Sequence, residues 1–269
     1  MKKSRRAAAL ASAGALVASL MLGVSSAGQS SAGTWCSSVK ISYFKGGTAD
    51  GFSDILEKGA RQAAADTGAN VTIISSGWNF PQMVQQFREE IAKKPDAISF
   101  MGHPGDAAIL PLAKEAKKAG ILVDFANVPA KESIAELGAG YTGANLKSMG
   151  DLLAKKAVKD FDLKARDVAI VIGTFGVPGR SDREDGTVAA LKKARVTVKT
   201  LNLQPLGDTN GNPNLVTPTL TALIQANKSK LKLIVAAGPV LGNMKNYFDA
   251  AGLSAGSVKV AGFDLGKTV

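Results

Sequence analysis

Charged side chains end or follow several apolar runs of this chain. Arg183 comes shortly after one apolar run and the Gly-Val-Pro-Gly turn at 176–179, and three aspartates occupy similar places: Asp50, Asp106 and Asp264. A guanidinium group donates hydrogen bonds through a rigid fork, and carboxylate groups accept them. This combination suits the hydroxyl groups of a sugar, each of which donates one hydrogen bond and accepts two. The residue types therefore predict a site for a small polar ligand.

Aromatic, amide and imidazole side chains occur in the same kind of segment. Phe52 and Trp78 can cover the C–H faces of a sugar ring, and Asn79 can both donate and accept hydrogen bonds. His103 lies in the polar segment Gly-His-Pro-Gly-Asp at 102–106. We therefore add these four residues to the candidate ligand-binding set.

Each candidate also has a purely structural interpretation. Asp106 and Asn79 can cap the helices that follow them. Trp78 can pack under its own loop, and His103 can be an ordinary loop residue. Arg183 can form an ion pair with an adjacent aspartate on a solvated turn. The sequence leaves these alternatives open.

Several kinds of active site are excluded by residue counts and motifs. One cysteine and one histidine cannot form an internal disulfide bond or a Cys/His zinc site. A Ser-His-Asp triad would have to use His103, and no Gly-x-Ser-x-Gly elbow supplies its serine. Neither a dinucleotide fingerprint at Gly46-Gly47 nor a P-loop occurs. We predict no catalytic residue, no metal and no cofactor.

The first 27 residues have the pattern of a secretory signal. Residues 1–6 are basic, residues 7–24 are apolar and small, and Ser25-Ser26-Ala27 fits a cleavage site, so we expect cleavage near Ala27 and a location in the periplasm or outside the cell. A membrane anchor, twin-arginine export and a lipid on Cys36 are alternatives. The chain is basic, with 33 Lys and Arg against 22 Asp and Glu, but its lysines are spread along helices, so we expect no nucleic-acid partner.

Short β-branched runs alternate with amphipathic stretches, and this pattern predicts an α/β fold with parallel sheets flanked by helices. The predicted strands are 39–44, 69–75, 97–101, 121–127, 167–173, 196–203, 231–238 and 258–264. The predicted helices are 52–68, 81–94, 107–119, 149–161, 183–194, 215–226 and 243–252. The pattern restarts after 129–139, which predicts two lobes, 38–130 and 131–269. Ligands of open parallel sheets bind beyond the carboxyl ends of the strands, where the candidate residues lie.

Three motifs together resemble one protein family. They are Gly-x-Pro-Gly followed by Arg-Glu-x-Gly, a late strand ending in Gly-Phe-Asp, and Met-Gly-His-Pro-Gly-Asp. The chain from about Val39 onward is similar to the type 1 periplasmic sugar-binding proteins of ABC importers, the group of the ribose- and galactose-binding proteins. The resemblance implies a monomeric two-lobed receptor that closes on a small sugar and is read by a membrane permease. It also implies ligand contacts for these residues: Asp50, Phe52, Asn79, Asp106, Arg183 and Asp264.

Two departures from the family pattern affect the expectations. Gly238-Pro239 stand where members usually carry Asn-Asp or similar residues, so the sugar is not identified. The sequence ends at Val269, where members continue into a segment that returns to the first lobe, so we expect a truncated coding sequence of marginal stability. An exported hydrolase that uses Asp106 and Asp264, and a ligand-sensing partner of a membrane receptor, remain alternative functions.

Overall fold

Two parallel β-sheets organise the chain in a computed structural model that describes residues 33–203, 213–254 and 256–263. The first lobe contains β1 (Lys40–Gly46), α1 (Gly51–Thr67), β2 (Asn70–Ser75), α2 (Phe80–Lys93), β3 (Ala97–Met101), α3 (Asp106–Lys118), β4 (Leu122–Ala126), α4 (Lys131–Leu137) and β5 (Gly140–Thr142). The second lobe contains α5 (Leu146–Asp160), β6 (Val168–Gly173), α6 (Asp182–Lys193), β7 (Thr197–Asn202), α7 (Pro213–Asn227), β8 (Leu231–Ala236), α8 (Gly238–Gly242), α9 (Met244–Ala250) and β9 (Lys259–Gly262).

The strand order is β2-β1-β3-β4-β5 in the first sheet and β7-β6-β8-β9 in the second, and every pairing is parallel. The predicted α/β class with two lobes is confirmed. The first sheet extends past residue 130, because β5 pairs with β4 and is therefore part of the first lobe. The predicted signal segment 1–27 and Asp264 lie outside the described residues.

Local sequence signals account for where several helices begin and end. The side chains of Asp50, Asn79 and Asn145 accept hydrogen bonds from the first turns of α1, α2 and α5. Such N-caps satisfy backbone N–H groups that have no partner within the helix. Helix α1 ends at Gly68, whose φ of 77° lies in the left-handed region that favours glycine. Three short elements, α4, β5 and α8, were not predicted, because none is long enough to show a hydrophobic period.

Apolar packing holds the sheets in place beneath the loops. All six residues of β6 are buried. One face of this sheet, with Ile170 and Ile172, packs against α7 and α9, and the other, with Ala169 and Val171, packs against α5 and α6. Each buried isoleucine contributes about 1.5–3 kcal/mol of transfer free energy. This packing fixes the end of β6, from which the loop that leads to Arg183 of α6 leaves.

In the first lobe, an aromatic cluster holds the sheet in place beneath the loops. Phe44 of β1, Phe100 of β3 and Phe87 of α2 are fully buried, and their ring centroids lie 4.3–6.4 Å apart. Such pairs contribute about 0.5–1.5 kcal/mol beyond the area that they bury. The cluster anchors the strand ends from which the loops at 47–50 and 102–105 leave.

Helices α5 and α6 approach each other closely through glycines. A Cβ atom at Gly150 would lie 1.9 Å from the carbonyl oxygen of Arg183, and one at Gly186 would lie 2.3 Å from that of Lys147. Only glycine permits this spacing, so Gly150 sets the position of the helix turn that carries Arg183. None of the helices in the described ranges combines the length and the apolarity needed to cross a membrane.

Candidate ligand-binding site

Asp50 and Trp78 form a hydrogen bond at the rim of the first lobe. The Asp50 carboxylate accepts hydrogen bonds from the backbone N of Ser53 at 2.9 Å, from its Oγ at 2.8 Å and from Nε1 of Trp78 at 2.9 Å. Asp50 therefore caps α1 and orients the indole at once. Gly46 and Gly47 allow the indole to lie on their backbone, because Cβ atoms there would come within 2.5 Å and 2.4 Å of it.

A row of rings continues from Trp78 across the rim of the first lobe. Ring centroids lie 6.1 Å apart for Phe52 and Trp78, 5.2 Å for Trp78 and His103, and 5.9 Å for Phe80 and His103. The structure thus brings together Phe52, Trp78 and His103 of the predicted set. Asn79 is exposed beside them, and its Oδ1 accepts a hydrogen bond of 2.9 Å from Gln82 N at the start of α2.

His103 is a buried and neutral imidazole within this row. Its residue exposure is 7%, and Nδ1 has no hydrogen-bond partner among the described atoms. Burial holds the pKa of His103 well below its usual 6.5, and the charges of Arg180 and Arg183 lower it further. A buried polar atom without a partner is rare in folded proteins, and one common reason is a ligand or water that completes it.

The second lobe contributes two arginines held by one buried carboxylate. Glu184 is fully buried, and its Oε1 lies 3.2 Å from Nη1 of Arg180 and 3.1 Å from Nη2 of Arg183. The Arg183 guanidinium also lies 4.5 Å from the ring centroid of Phe263. Both arginine side chains are largely buried, so burial and these contacts fix the direction of their donors.

The loop that precedes Arg183 contacts the first lobe directly. A Cβ atom at Gly179 would lie 2.3 Å from the carbonyl oxygen of Pro129, and one at Gly105 would lie 3.5 Å from Cγ1 of Val177. Lys131 Nζ and Asp182 Oδ2 form an ion pair of 2.5 Å between the lobes. The carboxyl-end loops of the two sheets therefore meet around the row of rings and the arginines.

The Asp106 carboxylate is hydrogen-bonded to a helix of the first lobe. Its carboxylate accepts hydrogen bonds from Glu132 N at 3.1 Å, from Ser133 N at 2.9 Å and from Ser133 Oγ at 2.8 Å, so it stabilises the N-terminus of α4. The cap that the sequence suggested is thus made on α4 and not on α3, whose N-cap is Gly105. Ligand contact by Asp106 stays a prediction, as it does for Asp264.

Arg180, Glu184 and the Lys131–Asp182 pair were absent from the predicted set. Arg180 and Glu184 are close in sequence, with Arg180 just before α6 and Glu184 in its first turn, so their proximity was a usable local signal. The Lys131–Asp182 pair had no such signal, because its members lie in different lobes. In the described ranges, no group of three or more His, Cys, Asp or Glu side chains is placed to hold a metal ion.

We expect the protein to lose stability as the pH falls from about 7 to 5.5. The His103 pKa is depressed in the folded protein, whereas an unfolded histidine has a pKa of about 6.5. Below that pH the unfolded chain binds a proton that the folded chain does not. The free energy of unfolding should therefore fall by up to about 1.4 kcal/mol per pH unit.

Urea denaturation at pH 5.5, 6.5 and 7.5, chosen as points on either side of about 6.5, measures this effect. His103→Gln is the control, because glutamine does not titrate and His103 is the only histidine of the chain. The pH dependence should be weaker in the variant. Parallel pH profiles for the two proteins would contradict the expectation.

Two parallel-sheet lobes that meet through the loops at their strand carboxyl ends define the two-lobed class of type 1 periplasmic binding proteins. The chain belongs to the periplasmic binding protein family, since the family's periplasmic binding protein domain matches residues 43–269. The resemblance inferred from the motifs is therefore confirmed. Members of this family include solute-binding proteins of ABC transporters, and membership implies a location outside the cytoplasm.

Solved structures share this fold at low sequence identity. A periplasmic sugar-binding protein of an ABC sugar transporter from Legionella pneumophila has 20% identity and a TM-score of 0.70, with 84% of this chain and 82% of that chain covered. An ABC transporter solute-binding protein from Agrobacterium vitis, bound to α-D-tagatopyranose, has 25% identity and a TM-score of 0.69, covering 84% and 76%.

A carbohydrate transporter from Acidothermus cellulolyticus 11B, in complex with myo-inositol, has 24% identity and a TM-score of 0.66, covering 84% of this chain and 74% of that chain. No curated protein matches the chain.

Proposed function

We propose that the protein is a receptor that captures a small sugar or sugar-like polyol between its lobes and delivers it to the permease of an ABC transporter. One observation carries the proposal. Trp78 and His103 of the first lobe lie at the contact between the lobes, where the charges of Arg180 and Arg183 of the second lobe act on His103. Apolar ring faces and strong donors thus occur together at one junction, as polyhydroxylated ligands require.

The side chains have complementary roles in this proposal. Phe52 and Trp78 cover the C–H faces of the ligand, while Arg183 donates to its hydroxyl oxygens. The neutral imidazole of His103 forms one hydrogen bond through Nδ1. Asn79 contributes its amide at the edge. Asp106 and Asp264 complete the predicted acceptor set.

The strength of these contacts is compatible with a working receptor. Charge-assisted hydrogen bonds contribute roughly 1.5–3 kcal/mol each. A few of them, with stacking and after ordering losses, reach micromolar affinity, which corresponds to about 8 kcal/mol. Lobe closure then follows from the ligand's contacts with both lobes.

The proposal includes the protein's place and partners. The N-terminal segment directs export, is cleaved near Ala27 and leaves a monomer in the periplasm or outside the cell. The permease binds the closed form of the receptor. The receptor binds its ligand and releases it chemically unchanged, so the protein is not an enzyme.

Calorimetric titration with a panel of pentoses, hexoses, deoxy sugars and polyols tests the function. We expect one ligand class to bind with a dissociation constant in the micromolar range or below, at about one ligand per chain. Product analysis after incubation with the bound ligand should detect no conversion. Conversion would favour the exported hydrolase, and failure of every sugar and polyol to bind would contradict the proposal.

Arg183→Lys should weaken binding of that ligand by about 10- to 100-fold, because lysine lacks the planar fork of donors. The matched control is Arg88→Lys, which makes the same change at an exposed position of α2, away from the lobe contact. Equal affinities for the two variants would remove Arg183 from the site.

A further inference from the structure

Basic side chains gather at the end of the second lobe that lies opposite the cleft. The strands of this sheet are parallel, so the segments that precede them meet at one edge. Arg166 N donates to Arg195 O at 2.9 Å and Val168 N donates to Lys230 O at 2.8 Å, which joins three of these segments. We call the following exposed residues the basic pole: Lys164, Arg166, Lys192, Lys193, Arg195, Lys228, Lys230, Lys232 and Lys259.

The basic pole has little compensating negative charge. Lys164 forms an ion pair with Asp162, and Asp167 accepts a hydrogen bond of 2.7 Å from the backbone N of Lys164. Within the described residues, the other members of the pole form no ion pair. Unpaired like charges on one exposed surface repel one another, and an anionic partner would neutralise them.

The corresponding end of the first lobe carries fewer unpaired basic residues. There the Lys93 ammonium pairs with Glu90 at 2.5 Å, and Asp96 accepts a hydrogen bond of 2.7 Å from Lys40 N. Nearby, Lys114 pairs with Glu136 at 2.6 Å. Lys40, Lys94, Lys117 and Lys118 are also exposed at this end and form no ion pair among the described residues, so the basic pole differs from it by its larger number of unpaired basic residues.

The chemistry of the pole favours a phospholipid surface. Seven of its nine residues are lysines, whose ammonium groups act as hydrated point charges, and no Trp or Tyr lies among them to stack on bases. A cluster of this size suits anionic headgroups. The family location outside the cytoplasm provides such a surface at the outer face of the membrane. The pole lies at the amino ends of the strands, so its occupation leaves the cleft open.

We propose that the basic pole binds anionic phospholipid headgroups and holds the receptor at the membrane surface with its cleft accessible. Each basic residue near an anionic surface strengthens binding about fivefold, so several together act cooperatively. The attraction falls off within roughly 10 Å at 0.1 M salt, which requires direct apposition of the pole to the headgroups.

Sedimentation with phosphatidylcholine vesicles that contain about one third phosphatidylglycerol tests the proposal on the exported, processed protein. We expect the wild-type protein to bind these vesicles and to dissociate from them in roughly 0.5 M salt. It should not bind vesicles of pure phosphatidylcholine. The triple variant Lys192→Gln, Lys193→Gln and Lys230→Gln should bind about 100-fold more weakly.

The matched control removes the same charge from the first lobe: Lys114→Gln, Lys117→Gln and Lys118→Gln, all exposed on α3. It should reduce vesicle binding by no more than a few fold, and thermal melting should show that both triple variants are folded. Equal losses in the two variants would assign the effect to net charge and overturn the proposal. Binding to duplex DNA without binding to the vesicles would also overturn it.

Discussion

Glu184→Ala should destabilise the second lobe by about 3–5 kcal/mol. Glu184 is fully buried, and its Oε1 lies within 3.2 Å of Nη atoms of both Arg180 and Arg183. Removing one member of a buried ion pair leaves the other members desolvated, and that penalty commonly reaches this size. Alanine also leaves a cavity where the carboxylate stood. Urea denaturation followed by circular dichroism measures the change in the free energy of unfolding.

Two controls separate charge from position. Asp185→Asn neutralises the adjacent carboxylate, which is exposed, and should change stability by less than about 0.5 kcal/mol. Glu184→Gln keeps the volume and should lie between the two. The urea midpoint should fall less when unfolding is followed by tryptophan fluorescence than when it is followed by circular dichroism. Trp35 and Trp78 both precede the second lobe, so fluorescence reports mainly on the first lobe. A Glu184→Ala protein as stable as Asp185→Asn would show that the buried carboxylate contributes nothing.

Gly179→Ala should weaken ligand binding by about 10- to 100-fold without unfolding either lobe. The added methyl group would lie 2.3 Å from the carbonyl oxygen of Pro129 in the first lobe, so the loop must retreat before the lobes can meet. The residue also has a φ of +82°, which strains alanine by about 1–2 kcal/mol. Titration with the ligand identified in the sugar panel measures the loss.

Gly176→Ala is a close control for this change. Gly176 lies in the same loop with a φ of +81°, but a Cβ atom there would meet no atom within 4 Å. Both variants carry the same backbone strain, and only Gly179→Ala obstructs the lobe contact. Small-angle scattering with ligand should show a more open particle for Gly179→Ala. If both variants bind the ligand equally well, the contact between Gly179 and Pro129 has no part in closure.

The extent of sequence-based prediction differed between long and short elements. The longer strands and helices were predicted because each carries its own hydrophobic period and often its own cap, such as Asp50 before α1. Helix α4 has seven residues and β5 has three, too few for a period to be visible. Helix α4 lies in the segment 129–139 that looked like a boundary, and β5 follows it directly. The first sheet therefore continues beyond the predicted end of the first lobe.

The candidate site shows the same division between local and distant information. The sequence suggested adjacent aspartates as partners for Arg183, whereas its guanidinium pairs with Glu184, and Asp182 pairs with Lys131 of the other lobe. The sequence suggested that Asp106 caps its own helix, whereas its carboxylate caps α4. Charge and hydrogen-bonding capacity are visible in a sequence, but the choice among several nearby partners depends on the fold.

The sequence by itself determined the alternation of strands and helices, the helix caps and the family motifs, because these depend on residues a few positions apart. Only the tertiary structure decided that Trp78 bonds to Asp50, that Gly179 contacts the first lobe and that dispersed lysines gather at one pole. Those contacts join segments that strand order and sheet packing bring together. These contacts cannot be predicted from spacing along the chain, because parallel strands return to the same sheet edge after helices of different lengths.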